Sequence, residues 1–228
     1  MQENLKDLKV IKFADDTKLY CEYIDQHSQQ LIQANLERIN QWLQKWKMSA
    51  NTSKTGVLKF ERIPQEVPLY TFNQKEIQYM KQEKVLGVLM DSRINFKTHV
   101  QSIVNKCFKI YGWMVRTLVN RDKTIVLAIY KSLIRPNLEY ASSVWNPSAV
   151  GQSQILEKVQ RKITKLILSK DIPYGKRLEI LKLPTLKWRR MFLDMLRVYE
   201  VLHMEPELRR QLFTLNSEKS NVNLRRHR

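Results

Sequence analysis

The chain has 228 residues, 43% hydrophobic and 27% charged, and its 40 Lys and Arg against 22 Asp and Glu leave a net charge of +18. That composition excludes wholesale disorder, and two distant cysteines, Cys21 and Cys107, exclude a disulfide scaffold or a cysteine metal site. The excess is lopsided: residues 1–100 hold 15 basic and 12 acidic side chains, residues 101–228 hold 25 and 10, which points to a polyanion, nucleic acid first. No run of 18 apolar residues and no basic-then-apolar leader is present, so the expectation is a soluble intracellular protein, nuclear or cytoplasmic, neither secreted nor membrane-bound.

In chain order, two β-prone runs, 10–13 and 17–21, flank a bend at Asp15-Asp16. A hairpin of that shape puts both acids in one small volume, where a hard cation can collect oxygen ligands; Asp is equally at home as a plain turn residue. Ile32, Leu36, Ile39, Leu43 and Trp46 recur every three or four residues, the stripe of a helix over 26–47 with Asp25 as N-cap. Short strands follow at 56–60, 69–72 and 85–90, with a loop at Pro64 and Pro68 and a turn at Asn73-Gln74. Residues 1–95 therefore read as a small α+β domain.

From Phe96 the period becomes helical. Phe96, Val100, Ile103, Val104, Phe108, Tyr111 and Val115 form one stripe. Ile125, Ile129 and Leu133 form a second, which Pro136 should stop, and Ile155, Val159, Ile163, Leu166 and Ile167 a third. The fourth is Trp188, Phe192, Met195, Tyr199 and Leu202. Residues 96–205 thus read as a helical bundle and 206–228, ending in Arg225, Arg226 and Arg228, as a flexible basic tail. Opposite the third apolar stripe stand Lys158, Lys162 and Lys165 with Arg161 beside them; Arg189, Arg190 and Arg197 add charge to the fourth helix. Such a face holds a duplex by its phosphates, while its bland meaning is a solvated helix surface. Trp113, Tyr140, Trp145 and Trp188 read as core, and His27, His99, His203 and His227 carry no ligand spacing.

An ordered series of motifs then resembles the reverse transcriptases of retrotransposons without long terminal repeats, the jockey-like and chicken-repeat-like elements. Phe13-Ala14-Asp15-Asp16-Thr17 resembles their metal hairpin, and Asn51-Thr52-Ser53-Lys54-Thr55 their Asn-x-x-Lys-Thr step. Val85-Leu86-Gly87-Val88 is similar to the strand pair that grips the primer end. Further matches are Leu133-Ile134-Arg135-Pro136, Val144-Trp145-Asn146-Pro147 and Leu183-Pro184-Thr185-Leu186, so the resemblance covers about residues 10–205. It implies a C-terminal part of a polymerase palm followed by a helical thumb. It also implies Asp15 and Asp16 as ligands of catalytic Mg²⁺, Lys54 as the acid for departing pyrophosphate, Leu86 and Gly87 as primer grip, and an RNA template–DNA primer duplex as partner.

The family places a further metal-binding aspartate well upstream of the hairpin. Glu3 and Asp7 are the acids available before Asp15, and an extended run from Asp7 to Asp15 holds the two roughly 26 Å apart, too far for metals about 4 Å apart to share. Fingers are likewise expected to be absent and supplied, if at all, by another polypeptide. The expectation is a polymerase fragment with an incomplete two-metal site, active poorly or not at all alone; the alternative is a non-catalytic nucleic-acid-binding remnant or domesticated module.

Overall fold

Two units make up the chain, Met1–Asn95 and Phe96–Arg228; the structure, a computed structural model, describes residues 9–22, 26–60, 68–119 and 122–213. Glu3, Asp7, Asp25, Pro64, Arg225, Arg226, His227 and Arg228, singled out above, lie outside the described residues.

In the first unit β1 (Lys9–Phe13) and β2 (Asp16–Tyr20) pair antiparallel, Lys9 opposite Tyr20 and Phe13 opposite Asp16. Ala14 and Asp15 are left as a two-residue loop. Neither strand pairs with a third among the described residues. Helix α1 (Gln26–Lys45) buries Leu36 and Ile39 against Tyr70, Phe72 and Ile77, with Leu19, Ile32 and Leu43 packed around them. It ends earlier than its stripe suggests: Lys47 takes a left-handed φ of 52°, and the Met48 N–H reaches back to the Leu43 carbonyl at 2.8 Å. That C-cap leaves Trp46 outside the helix and exposed.

The remaining strands are short. β3 (Gly56–Val57) runs parallel to β6 (Gln78–Tyr79), while β4 (Thr71–Phe72) and β5 (Lys75–Glu76) close around Asn73-Gln74. The run read as one strand at 85–90 is instead a hairpin, β7 (Gln82–Val85) and β8 (Val88–Asp91), because Leu86 and Gly87 both take positive φ and reverse the chain.

The second unit is helical: α2 (Lys97–Thr117), α3 (Lys123–Ile129), a π-helical segment (Tyr130–Ile134), α4 (Arg135–Glu139), α5 (Ser142–Trp145), α6 (Val150–Ile167), α7 (Tyr174–Leu181), α8 (Leu186–Met204) and α9 (Pro206–Leu212). Three sequence expectations change here. The buried row of the second stripe is Val126, Tyr130, Ile134 and Leu138, one residue on from Ile125, Ile129 and Leu133. Both rows are apolar at the same spacing, so periodicity alone does not choose between them.

Pro136 does not stop the helix. It sits in the first turn of α4, where its missing N–H leaves no bond unmade, and the π-helical segment before it shifts the register. Finally, 206–212 is helix rather than tail; the rest of the expected tail lies outside the described residues.

Candidate functional site

The carboxylates of Asp15 and Asp16 sit at the tip of the β1–β2 hairpin. Both are exposed, and neither makes an ion pair or hydrogen bond among the described residues. The loop residue Ala14 has φ 53°, a left-handed conformation that disfavours a residue with a Cβ. Such strain is commonly kept where a backbone must aim side chains. The hairpin is anchored through both faces: Leu19 packs on the core cluster, Lys18 pairs with Glu83 of β7, and the Lys12 ammonium lies 5.8 Å from the Trp42 ring centre. Two free carboxylates fit Mg²⁺, which keeps several waters and takes one or two carboxylates plus substrate phosphates. No group of three or more His, Cys, Asp or Glu able to hold a metal occurs among the described residues.

Lys54 lies in a turn built by Asn51. The Asn51 Oδ1 accepts from the Ser53 N–H at 3.1 Å and from its hydroxyl at 2.6 Å; the Asn51 carbonyl accepts from the Lys54 N–H at 3.0 Å and the Thr55 hydroxyl at 3.0 Å. This Asx turn explains the spacing of the Asn-x-x-Lys-Thr string. Gly56 follows because a Cβ there would meet the Met80 Cε at 2.6 Å. Lys54 is exposed, and no hydrogen bond or ion pair joins it to Asp15 or Asp16 among the described residues. Leu86 and Gly87 form the tip of the β7–β8 hairpin, with φ 46° and 89°.

In the helical unit, α6 separates two kinds of polar residue. Its inner face holds Glu157, Gln160 and Thr164, all buried. Tyr130 donates to Gln160, whose amide donates to the Tyr174 hydroxyl and the Pro184 carbonyl, each at 3.0 Å. Tyr174 in turn donates to Glu157. The Glu157 carboxylate accepts the Leu186 N–H at 3.1 Å, capping the start of α8. Burial pushes the Tyr130 and Tyr174 hydroxyls well above the ordinary phenol range and the Cys107 thiol up to about 12. One position on, the outer face presents Lys158, Arg161, Lys162 and Lys165. All four are exposed and none is ion-paired among the described residues. The Arg161 guanidinium lies 4.5 Å from the Tyr174 ring centre, which steadies it without neutralising it. The sequence carries no signal of this Tyr174 contact, since it depends on how α7 folds back.

The arginines of α8 do not join that face. Arg189 forms a bidentate pair with Glu139, which raises its pKa. Arg190 is 1% exposed; its Nε donates to Asn146 at 3.0 Å and its Nη2 to Ser153 at 2.9 Å, and burial lowers its pKa. Arg197 pairs with Glu200 and Glu205. Burial corrects the expectation for Arg190, whereas Arg189 and Arg197 stay partly exposed and are ion-paired within the bundle. The aromatics also change places. Trp145 is core, its ring edge-on to His99, whereas Trp113, Tyr140 and Trp188 are exposed. Among the described residues no helix is long and apolar enough to cross a membrane.

Comparison with known proteins supplies context for both sites. The chain is 26% identical over 160 residues to the probable RNA-directed DNA polymerase from transposon X-element of Drosophila melanogaster, covering 68% of this chain and 18% of that protein. It is 26% identical over 139 residues to the RNA-directed DNA polymerase from mobile element jockey of Drosophila funebris (60% and 15%). With the jockey polymerase of Drosophila melanogaster it shares 22% identity over 172 residues (71% and 18%). The resemblance read from the motifs is thus met by similarity to polymerases of retrotransposons without long terminal repeats. The matched stretch spans less than a fifth of each relative. No protein-family model and no solved structure matches the chain.

Proposed function

We propose that this chain forms the metal hairpin and the duplex-holding helices of an RNA-directed DNA polymerase of the retrotransposon type: part of a palm in the first unit, a thumb-like bundle in the second. The observation that carries the reading is the freedom of Asp15 and Asp16, two carboxylates with no partner among the described residues on a strained, anchored tip. Mg²⁺ held there would stabilise attacking and leaving oxygens of nucleotidyl transfer. Lys54, raised on its Asx turn, would serve as the acid toward pyrophosphate, Leu86 and Gly87 as the primer contact. Lys158, Arg161, Lys162 and Lys165 would hold the phosphates of the template–primer duplex without reading bases.

With two carboxylates and no third ligand among the described residues, the 228-residue polypeptide by itself is expected to bind duplex and not extend a primer. A primer-extension assay with Mg²⁺ on an RNA template, run beside the Asp15→Asn form, tests this. Incorporation that disappears in Asp15→Asn would establish a complete catalytic centre and overturn the expected inactivity. The second reading, a nucleic-acid-binding module without chemistry, is favoured by the same α6 cations, which have no ion-pair partner among the described residues. It predicts duplex binding indifferent to Asp15→Asn and to Mg²⁺. Binding whose affinity does not change with salt would remove the phosphate-holding role from both readings.

A further inference from the structure

Helix α8 is mixed on its buried side, where Arg190 lies with Leu186 and Val201, and apolar along its outer side. That outer side exposes Trp188 (49%), Met191, Phe192, Met195 (68%), Val198 and Tyr199 (56%). The outer face of a surface helix is ordinarily polar, so a contiguous exposed apolar stripe marks an interaction surface. The Trp188 and Phe192 rings are already stacked, 5.4 Å apart and within 6° of parallel, so the face is pre-ordered. Periodicity marks Trp188, Phe192, Met195, Tyr199 and Leu202 as one apolar stripe, of which Trp188 reads as core.

We infer that this outer face of α8 pairs with the same face of a second copy of the chain, antiparallel, about a two-fold axis at Met195. Three features select a second copy. First, the apolar positions of the stripe are symmetric about Met195: Trp188 would meet Leu202, Met191 would meet Tyr199, and Phe192 would meet Val198, an isologous match, while the exposed Leu196, whose mate would be Asp194, lies at the edge of the stripe. Second, these side chains expose about 700 Å² at roughly 100 Å² each, close to the ~800 Å² that one partner gives a standard interface. Third, the charge of α8 does not oppose the approach. Arg189 and Arg197 are ion-paired and Arg190 is buried, while Lys187 would lie beside the partner helix's C-terminal end, where a cation is favoured. The inference stands apart from the nucleic-acid reading and survives its failure.

The test uses the full chain, freed of nucleic acid and kept in about half-molar salt, which screens phosphate-bridged association. Sedimentation should give a dimer at micromolar concentration. Met195→Glu should raise its dissociation constant by at least about tenfold, two charges then being buried face to face, with helicity unchanged because Met195 is 68% exposed. In a Cys21→Ser background, M195C should form an intermolecular disulfide, W188C alone should not, and W188C mixed with L202C should. A monomer throughout, a dimer indifferent to Met195→Glu, or self-linking of W188C as efficient as that of M195C would each overturn the inference.

Discussion

Helices α6 and α8 each carry four lysines and arginines, yet they put them to opposite use. On α8, Arg189 and Arg197 are matched by Glu139, Glu200 and Glu205, and Arg190 is enclosed by Asn146 and Ser153. On α6 the acid, Glu157, faces inward to cap α8, so among the described residues Lys158, Arg161, Lys162 and Lys165 are left without an acid on the outside. Charge that is neutralised inside a fold holds helices together; charge left over is what a polyanion meets. A net charge of +18 is therefore a poor guide to a binding face until the acids have been placed beside it.

The comparison breaks most decisively at Arg190. Arg190→Ala removes a buried, hydrogen-bonded cation and strands Asn146 and Ser153, at a cost of about 3–5 kcal/mol. Thermal melting should fall by roughly 10 °C, with duplex affinity per folded molecule unchanged. If Arg190→Ala instead left stability intact and weakened binding, α8 rather than α6 would be the nucleic-acid face.

Next in size is the triple change Lys158→Ala, Lys162→Ala and Lys165→Ala. Because these side chains bury nothing, stability should hold while affinity falls for every duplex sequence alike. The slope of log affinity against log salt should become shallower by about 3, one unit per lost phosphate contact. An unchanged slope would mean the duplex sits elsewhere.

How much of this was legible follows from what each residue depends on. The Asp15-Asp16 hairpin, the α1 stripe around Leu36 and Ile39 and the free α6 cations depend on neighbours within a few residues, and pattern alone marks them. Arg189, by contrast, owes its partner to Glu139, fifty positions away, and Arg190 to Asn146 and Ser153. No spacing rule reaches that far. The second stripe failed for another reason: two adjacent apolar rows compete, and the Tyr130–Gln160 contact decides which turns inward. The reversal at Leu86-Gly87 is not legible from periodicity, because positive φ at Leu86 is a backbone property that leucine does not advertise; the family resemblance alone marks a strand pair there.

Alkali offers a smaller, graded probe of the inner face. Cys107, Tyr130 and Tyr174 have pKa values raised by burial. Below the ordinary thiol and phenol values their contribution to stability is complete. As pH rises past about 9–10 the unfolded chain loses these protons first, so the contribution declines until the folded groups titrate. Melting temperature should therefore drop steadily from pH 9 upward. Tyr130→Phe should flatten part of that drop. A melting temperature independent of pH across this range would show that the phenols are not held inside.

The smallest effect tests the hairpin tip. Ala14 holds a left-handed φ of 53° that costs an alanine about 1–2 kcal/mol, and glycine removes most of that cost while adding entropy to the unfolded chain. Ala14→Gly should thus stabilise the hairpin by only about 0.5–1 kcal/mol, read as slower hydrogen exchange of the β1–β2 amides, with α6 binding untouched. The turn at Asn73-Gln74 serves as the internal control. It too has positive φ, but asparagine tolerates that region, so Asn73→Gly should gain less. If the two glycine variants gained equally, the conformation at Ala14 would be ordinary turn geometry, and the case that the tip is strained to aim Asp15 and Asp16 would lose its support.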